Sequence, residues 1–381
     1  MSPNRAIQAV LLTTLLAACS SEDPEPVYPP YDAGSGKADA PDGDDGDRSV
    51  AGCPSCTLLV RNQGGEGLAV DSQYVYWTRD GMINGAINRA PLAGGPTTVL
   101  VPDLDMPVDI VSHPTGLYWV AMATHHTINN GSISWLSHGG SSPTILAEHQ
   151  WDPLRMALDD ASIFWTNSKG DAIMKVPIDR SFVAVTFAKD DQHPYGIAVD
   201  DANVYWTATG KVSIEPGSTS APPPAGFVMR APKSGGEPTT VASGQAYPLS
   251  IAAHGDHVYW VNVGLFGNYD TPGTGSVMKA PIDGGPPVVV VPNLNAAWDL
   301  AVDDANIYYA TIGTKANRRC DGTIEKVPLG GGAPTVIASQ QCWPSRVAID
   351  ATHVYFATAS STISPDPPRL RKDAGIIRAP K

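Results

Sequence analysis

The sequence predicts an all-β protein, a seven-bladed β-propeller with four antiparallel strands per blade, closed by pairing of an N-terminal strand with the last blade. Three observations lead to this fold. A unit of about 40 to 50 residues recurs seven times, each unit holds four short apolar segments between turn residues, and the chain ahead of the first unit supplies a strand that the last unit lacks. The 37 glycines and 35 prolines among 381 residues indicate many turns and little helix.

An aromatic residue that closes the second strand marks each unit. These anchors are Trp77, Trp119, Trp165, Trp206, Trp260, Tyr309 and Phe356. Six residues before each anchor stands an acid or a histidine, at Asp71, His113, Asp159, Asp200, His254, Asp303 and Asp350. Because a large ring recurs at the same position of every unit, we expect the anchors to form core between neighbouring blades rather than a set of sugar-stacking side chains.

The four strands of a unit are clearest in the first one, where residues 67–70, 75–78, 86–91 and 97–100 form strands A, B, C and D. Asp, Asn and Ser fill the A–B turn because their side chains bond to nearby backbone amides. Paired glycines such as Gly94 and Gly95 fill the C–D turn because tight hairpins require positive φ.

The two ends of the chain are predicted to complete one blade together. The seventh unit ends within its strand C, at residues 376–381, and residues 57–60 are similar in sequence to residues 98–101 of the first strand D. If residues 57–60 pair with the last strand C, the ring has no open sheet edge, which removes an aggregation hazard.

Residues 1–18 are predicted to be an export signal. Its apolar core, residues 6–18, is shorter than the roughly 20 residues that span a bilayer as a helix. The following Leu-Ala-Ala-Cys motif resembles a bacterial lipobox, which makes Cys19 the predicted lipid attachment site. By resemblance to enterobacterial lipoproteins, Ser20 favours the outer membrane. The expected location is therefore the bacterial cell envelope, on the periplasmic side or the surface of the outer membrane.

Residues 19–52 are predicted to be a disordered acidic tether, and residues 53–381 the propeller. The tether is rich in Pro and Gly and has few large apolar residues, so it cannot bury enough surface to offset the entropy of ordering it. It carries about seven of the thirteen net negative charges of the chain. Nothing in the chain is basic enough to indicate nucleic acid as a partner.

Four cysteines lie in the predicted propeller, and an oxidising envelope favours disulfides. Cys320 and Cys342 are equally far from Gly331, the centre of the C–D hairpin of the sixth unit, so we expect a bond between them. Cys53 and Cys56 could close on each other or serve a zinc or redox role, and the sequence alone leaves their pairing open.

Strand order places the B–C and D–A connections on one face of the ring and the A–B and C–D turns on the other. The B–C connections are long and unequal, as at residues 210–225 and 359–374, which suggests a binding face. Charged residues recur on this face at the start of strand A. The predicted binding residues are Asp109, Arg155, Asp299 and Arg346, with Asp152, His193, Trp298 and Trp343 as neighbours. Alternatively, the charges pair with one another and plug the mouth of the channel.

The Val-Tyr-Trp-Thr strands at residues 75–78 and 204–207 resemble the YWTD repeats of low-density-lipoprotein-receptor-type propellers, within a broader YWTD/NHL-like class that includes bacterial lipoproteins of unassigned function. The resemblance covers residues 57–381 and implies the propeller fold. The strands are also similar to those of the streptogramin lyase type, a seven-bladed propeller that uses a metal with His and Glu on the channel face.

Two functions from different classes follow. The first is a lipid-anchored, monomeric binding module for an envelope protein, peptide or glycan, which touches the membrane only through its anchor. The second is a metal-dependent lyase or hydrolase at the channel mouth. No Gly-x-Ser-x-Gly motif or phosphate-binding loop is present, so we assign no catalytic residue, no metal ligand and no cofactor, and the sequence favours the binding module.

Overall fold

Seven four-stranded antiparallel sheets account for most of the described chain. The computed structural model describes residues 50–61, 63–79, 84–122, 129–211, 224–264, 273–314, 320–358 and 375–381. The predicted signal, Cys19 and most of the predicted tether lie outside these ranges, as do most residues of the long B–C connections. Contacts divide the chain into two compact units, and the first, Met1–Asp32, also lies outside the described residues.

The described residues contain 28 strands, numbered in chain order. The first is β1 (Thr57–Arg61). Blade 1 contains β2 (Leu68–Val70), β3 (Tyr74–Arg79), β4 (Gly85–Pro91) and β5 (Thr98–Leu104). Blade 2 contains β6 (Pro107–His113), β7 (Gly116–Ala121), β8 (Gly131–Leu136) and β9 (Thr144–Gln150). Blade 3 contains β10 (Pro153–Leu158), β11 (Ser162–Asn167), β12 (Ala172–Pro177) and β13 (Val185–Lys189).

The remaining blades follow the same order. Blade 4 contains β14 (Pro194–Val199), β15 (Asn203–Ala208), β16 (Gly226–Pro232) and β17 (Thr239–Gln245). Blade 5 contains β18 (Pro248–His254), β19 (His257–Asn262), β20 (Gly275–Pro281) and β21 (Val288–Leu294). Blade 6 contains β22 (Ala297–Val302), β23 (Asn306–Thr311), β24 (Gly322–Pro328) and β25 (Thr335–Gln341). Blade 7 contains β26 (Pro344–Ile349), β27 (His353–Thr358), β28 (Gly375–Pro380) and β1.

The predicted closure of the ring is confirmed. Strand β1 pairs antiparallel with β28, and Leu58 lies opposite Ile377. The innermost strands of successive blades are in contact around the ring, including β2 of blade 1 with β26 of blade 7. Strands A therefore surround the central axis, and the seven blades predicted from repeat counting are present.

The residues just before β1 bind to the outer strand of blade 6. The backbone N–H of Ser339 donates to Gly52 O at 3.1 Å, and Gln341 Nε2 donates to Ala51 O at 2.7 Å. A Cβ atom on Gly52 would lie 2.1 Å from Ser339 O, and the φ of Gly52 is +69°, so glycine is required there. Two disulfides flank these contacts. Cys53, directly after Gly52, bonds to Cys56, and Cys342, directly after Gln341, forms the predicted bond to Cys320.

The seven anchors are buried core, as predicted, and several also bond to the preceding blade. Trp165 Nε1 donates to Gln150 Oε1 and Trp260 Nε1 to Gln245 Oε1, both at 3.0 Å. Burial of one such ring contributes several kcal/mol, since Trp→Ala substitutions in cores cost roughly 3–5 kcal/mol. The anchors therefore join neighbouring blades.

In the five blades that have one, the aspartate of the A–B turn has two structural roles. In blade 1, Asp71 Oδ1 accepts the backbone N–H groups of Gln73 and Tyr74, the predicted turn, and Asp71 Oδ2 accepts the hydroxyl of Tyr76 at 2.7 Å. The same tyrosine bond recurs in blades 4, 6 and 7. Blade 3 has Phe164 instead, and there Lys233 of blade 4 donates to Asp159 Oδ2 at 2.6 Å.

Cationic side chains of strand C join neighbouring blades, because four of them bond to the backbone of the next blade. Arg378 Nη1 donates to Leu92 O at 2.7 Å, and Lys279 Nζ donates to Leu329 O at 2.7 Å. Arg230 and Lys175 make the corresponding bonds to Ile282 O and Lys233 O. A half-buried carbonyl next to a long cationic side chain gains a charge-assisted bond.

The free energy of unfolding at acidic pH should depend on Asp303. Its Oδ2 accepts a hydrogen bond from Lys381 Nζ at 2.5 Å. Burial opposes ionisation, but the bonds from Lys381, Asn306 and Ala305 lower the pKa of Asp303 from 3.8 to about 2. The lowered pKa stabilises the fold above pH 4, and this contribution is lost as pH falls toward 2. We expect Lys381→Gln to cost about 1 kcal/mol near neutral pH.

Urea unfolding at several pH values measures this contribution. The difference between native protein and Lys381→Gln should shrink as pH falls below 4, while Lys189→Gln, a loss of charge at an exposed site, should change little at any pH. A difference that stays constant down to pH 2 would contradict the role of the Lys381–Asp303 pair.

Candidate functional site

The face of the ring that carries the B–C connections also carries a set of left-handed D–A corners. The residue before the first proline or alanine of strand A has positive φ in six blades. These residues are Met106, Asp152, His193, Tyr247, Ala296 and Trp343, with φ between 43° and 58°. Their carbonyls accept bonds from the chain just after strand B, as in Ser168 N–H to Asp152 O. Because the strained backbone recurs around the ring, it belongs to the architecture rather than to one functional residue.

Just inside these corners, one position of strand A bridges adjacent blades. Asp109 Oδ2 accepts the backbone N–H of Met156 at 2.9 Å, and Asp299 Oδ2 accepts the N–H of Val347 at 2.8 Å. Ser250 Oγ is 3.4 Å from the N–H of Leu300 in the same way. The two predicted aspartates therefore have a structural role between blades.

The two predicted arginines also reach across blade boundaries. Arg155 Nη1 donates to Val108 O at 3.2 Å in blade 2, and its Nη2 donates to the hydroxyl of Tyr195 at 3.3 Å in blade 4. Arg346 Nε donates to Glu66 O in blade 1, and Arg346 Nη1 lies 3.7 Å from Asp299 Oδ1.

Electrostatic interactions join these groups into one set, which we call the charged cluster: Glu66, Asp109, Arg155, Asp299 and Arg346. Burial raises the pKa of the Asp109 carboxyl, and the charges of Arg155 and Arg346 oppose this rise. Burial alone would lower the pKa of Arg155, but Tyr195, Asp109 and Glu66 raise it. The charged cluster thus holds three carboxylates and two guanidiniums near the central axis.

The charges of this cluster are only partly paired. Asp299 and Arg346 form the ion pair at 3.7 Å, whereas none of the described ion pairs joins Asp109 to Arg155. Arg346 is 6% exposed, yet its Nη2 has no hydrogen-bond partner in the described structure. The alternative that the charges simply neutralise one another therefore describes Asp299 and Arg346 better than Asp109 and Arg155.

Three of the four predicted neighbours, Asp152, His193 and Trp343, are D–A corner residues, and Trp298 is the second residue of β22. Trp298 and Trp343 contact each other edge to face with ring centroids 6.0 Å apart, and both pack on the core of blades 5 and 6. His193 Nδ1 lies 3.8 Å from Asp171 Oδ1 in the B–C turn of blade 3. None of the described hydrogen bonds or ion pairs joins His193 to the charged cluster.

Sequence reasoning missed Glu66 and Tyr195 as members of this site. Both stand one residue before the position that supplied Asp109 and Arg155, in blades 1 and 4. At that position itself these blades have Gly67 and Gly196, whose added Cβ atoms would lie 2.9 Å from Asp109 Cα and 2.1 Å from Leu249 O. Comparing the residues that stand one place earlier in each unit would have identified both.

The described residues contain no cluster of metal ligands and no membrane-spanning helix. No three His, Cys, Asp or Glu side chains in the described ranges converge in a way that could hold a metal ion. The same ranges contain no helix with the length and apolarity needed to cross a membrane.

Comparison with known proteins shows a fold and no family. No protein-family model matches the chain. Protein cueball of Drosophila grimshawi is 25% identical over 133 residues, and that of Drosophila yakuba is 27% identical over 139 residues. These alignments cover 32% and 33% of this chain, and the chain spans 21% of the length of each relative.

Several solved structures are similar in architecture. Virginiamycin B lyase from Staphylococcus aureus has a TM-score of 0.59 at 13% identity, over 85% of this chain and 97% of the lyase. A streptogramin B lyase structure has a TM-score of 0.59 at 15% identity, over 84% and 95% of the two chains. A nidogen/laminin complex has a TM-score of 0.47 at 18% identity, over 65% and 88%. The two lyases share the propeller fold with this chain, and identities this low show nothing further.

Proposed function

We propose that this protein is a lipid-anchored, monomeric β-propeller of the bacterial cell envelope that binds a protein, peptide or glycan on the face of its B–C connections. One observation carries the proposal: the lengths of the connections differ between the two faces. The A–B turn between β14 and β15 has three residues, whereas 17 residues join β15 to β16 and 16 join β27 to β28. Long, unequal connections on one end of a rigid scaffold are typical of binding surfaces.

The charged cluster and the Trp298–Trp343 pair lie at the same end of the blades, which supports the choice of face. Aromatic and arginine side chains are the residue types that most often dominate binding energy at interfaces. The proposed anchor is Cys19, which lies outside the described residues. Fatty-acid labelling in cells tests it, since the native chain should be labelled and Cys19→Ser should not.

Exchange of connections tests the binding face. Residues 209–225 and 359–374 are each replaced by the four-residue connection of blade 3, residues 168–171, and envelope partners are captured with the purified chain. We expect the main captured partner to be lost by about tenfold or more, because contact residues are removed while the blades remain.

The matched control changes the opposite face. Residues 282–287, the C–D turn of blade 5, are replaced by residues 178–184 from blade 3, and capture should persist at the native level. Thermal unfolding confirms that each variant is folded. Equal capture by native protein, both B–C variants and the control would overturn the proposed binding face.

A further inference from the structure

The charged cluster contains one buried donor that the described protein does not satisfy, and carboxyl oxygens of Asp109 and Glu66 that accept no described hydrogen bond. Arg346 Nη2 is buried without a hydrogen-bond partner, although Nε and Nη1 of the same guanidinium face Glu66 and Asp299. Asp109 uses Oδ2 for the N–H of Met156, and its other oxygen accepts no hydrogen bond within the described residues. An unsatisfied buried guanidinium N–H is costly, so a partner from solution is favoured there.

The charges around these two groups restrict what that partner can be. Three carboxylates, of Glu66, Asp109 and Asp299, face two guanidiniums, of Arg155 and Arg346, and burial disfavours any further unpaired charge. A simple anion would satisfy Arg346 but add charge to a set that is already net negative. A simple cation would suit Asp109 but leave the Arg346 N–H unbonded.

A molecule that carries both charges satisfies both groups. We propose that the charged cluster binds a small zwitterion with an α-ammonium and an α-carboxylate, the carboxylate on Arg346 Nη2 and the ammonium facing Asp109. This ligand class deepens the proposed binding function and rests on it. Two sources share the chemistry, a free amino acid and a short peptide whose two termini both reach the cluster.

The guanidinium of Arg346 is held in place by neighbouring groups. Asp299 holds Arg346 from one side and bonds to Val347 N–H, so the guanidinium is positioned before a ligand arrives. Preorganised charged groups bind with less loss of side-chain entropy than flexible surface groups.

Calorimetric titration of the purified full chain tests the ligand class. The probes are glycine, glycylglycine and triglycine, which separate the two charges by increasing distances and so distinguish an amino acid from a peptide. N-acetylglycine keeps only the carboxylate, glycinamide keeps only the ammonium, and glucose offers neutral hydroxyls. We expect at least one zwitterion to bind about tenfold more tightly than both of its singly charged analogues and glucose.

Variants of the chain assign the contacts. Asp109→Asn keeps an acceptor for Met156 N–H, and Arg346→Lys keeps the charge beside Asp299, so both should fold. Each should weaken zwitterion binding about tenfold or more, while Glu237→Gln, at an exposed site, should leave it unchanged. Arg346→Lys should weaken N-acetylglycine as well, whereas Asp109→Asn should weaken glycinamide and not N-acetylglycine.

The outcomes separate this inference from the broader proposal. Equal affinity for glycine peptides and N-acetylglycine, preference for glucose, or no zwitterion binding by a folded chain would each overturn the ligand class. If zwitterion binding fails but exchange of the B–C connections still abolishes capture of an envelope partner, the ligand class is wrong and the proposed binding face still holds. If the zwitterion binds and that exchange changes no capture, the ligand class stands and the large-partner function fails.

Discussion

Leu58→Ala should lower the free energy of unfolding by about 2–5 kcal/mol, the cost of removing a buried leucine side chain from a packed core. Leu58 lies in β1, is 3% exposed and packs in a core cluster that spans blades 6 and 7, including Ala310 and Phe356. The substitution therefore weakens the packing of β1 on blades 6 and 7, one of the contacts by which the start of the folded chain holds its end.

A second strand D provides the matched control for this prediction. Val99 of β5 is 52% exposed, and Val99→Ala should change the free energy of unfolding by no more than about 0.5 kcal/mol. Urea unfolding followed by tryptophan fluorescence measures both. If Leu58→Ala were as mild as Val99→Ala, strand β1 would not be closing the ring in solution.

Replacing both Cys320 and Cys342 by serine should cost about 3 kcal/mol, since the bond closes a loop with a sequence separation of 22 residues and restricts the unfolded chain. The pair joins the start of β24 to the end of β25 in blade 6. Its loss also releases the chain beside Gln341, which holds Ala51, so closure of the ring should weaken at the same time.

The other disulfide provides the comparison. Cys53 and Cys56 are three residues apart, and the same chain-entropy argument gives about 2 kcal/mol for their replacement by serine. Thermal unfolding of the two double variants, with native protein in reductant as a third sample, should rank the Cys320–Cys342 variant as less stable than the Cys53–Cys56 variant. The opposite order would mean that anchoring of the N-terminal segment outweighs loop length.

Residues that recur at the same position of each unit predicted the turns and the anchors well. The Asp turns and the Gly-Gly turns depend on neighbours within one unit, and the anchors recur at one position of every unit, so the repeated motif defines its own register. The closing strand was also predictable, because residues 57–60 are similar to another strand D. The Cys320–Cys342 bond followed from symmetry about a hairpin.

Contacts between blades could not be predicted in the same way. Arg378 bonds to Leu92 O across 286 residues, and the direction of its side chain depends on how blades 7 and 1 pack. At the site, the sequence supplied Asp109, Arg155, Asp299 and Arg346 but not their partners, so Glu66 and Tyr195 appeared only when the ring was assembled.

The A–B turn of blade 3 shows that the units are no longer interchangeable copies. Because Phe164 lacks a hydroxyl, Asp159 depends on Lys233 from the following blade. A shuffled chain in which blade 3 preceded a unit without such a lysine would leave Asp159 Oδ2 without its donor, while Oδ1 would keep the backbone N–H groups of Ala161 and Ser162. Compensation of this kind between neighbours restricts which blade can follow blade 3, even though every blade shares one backbone plan.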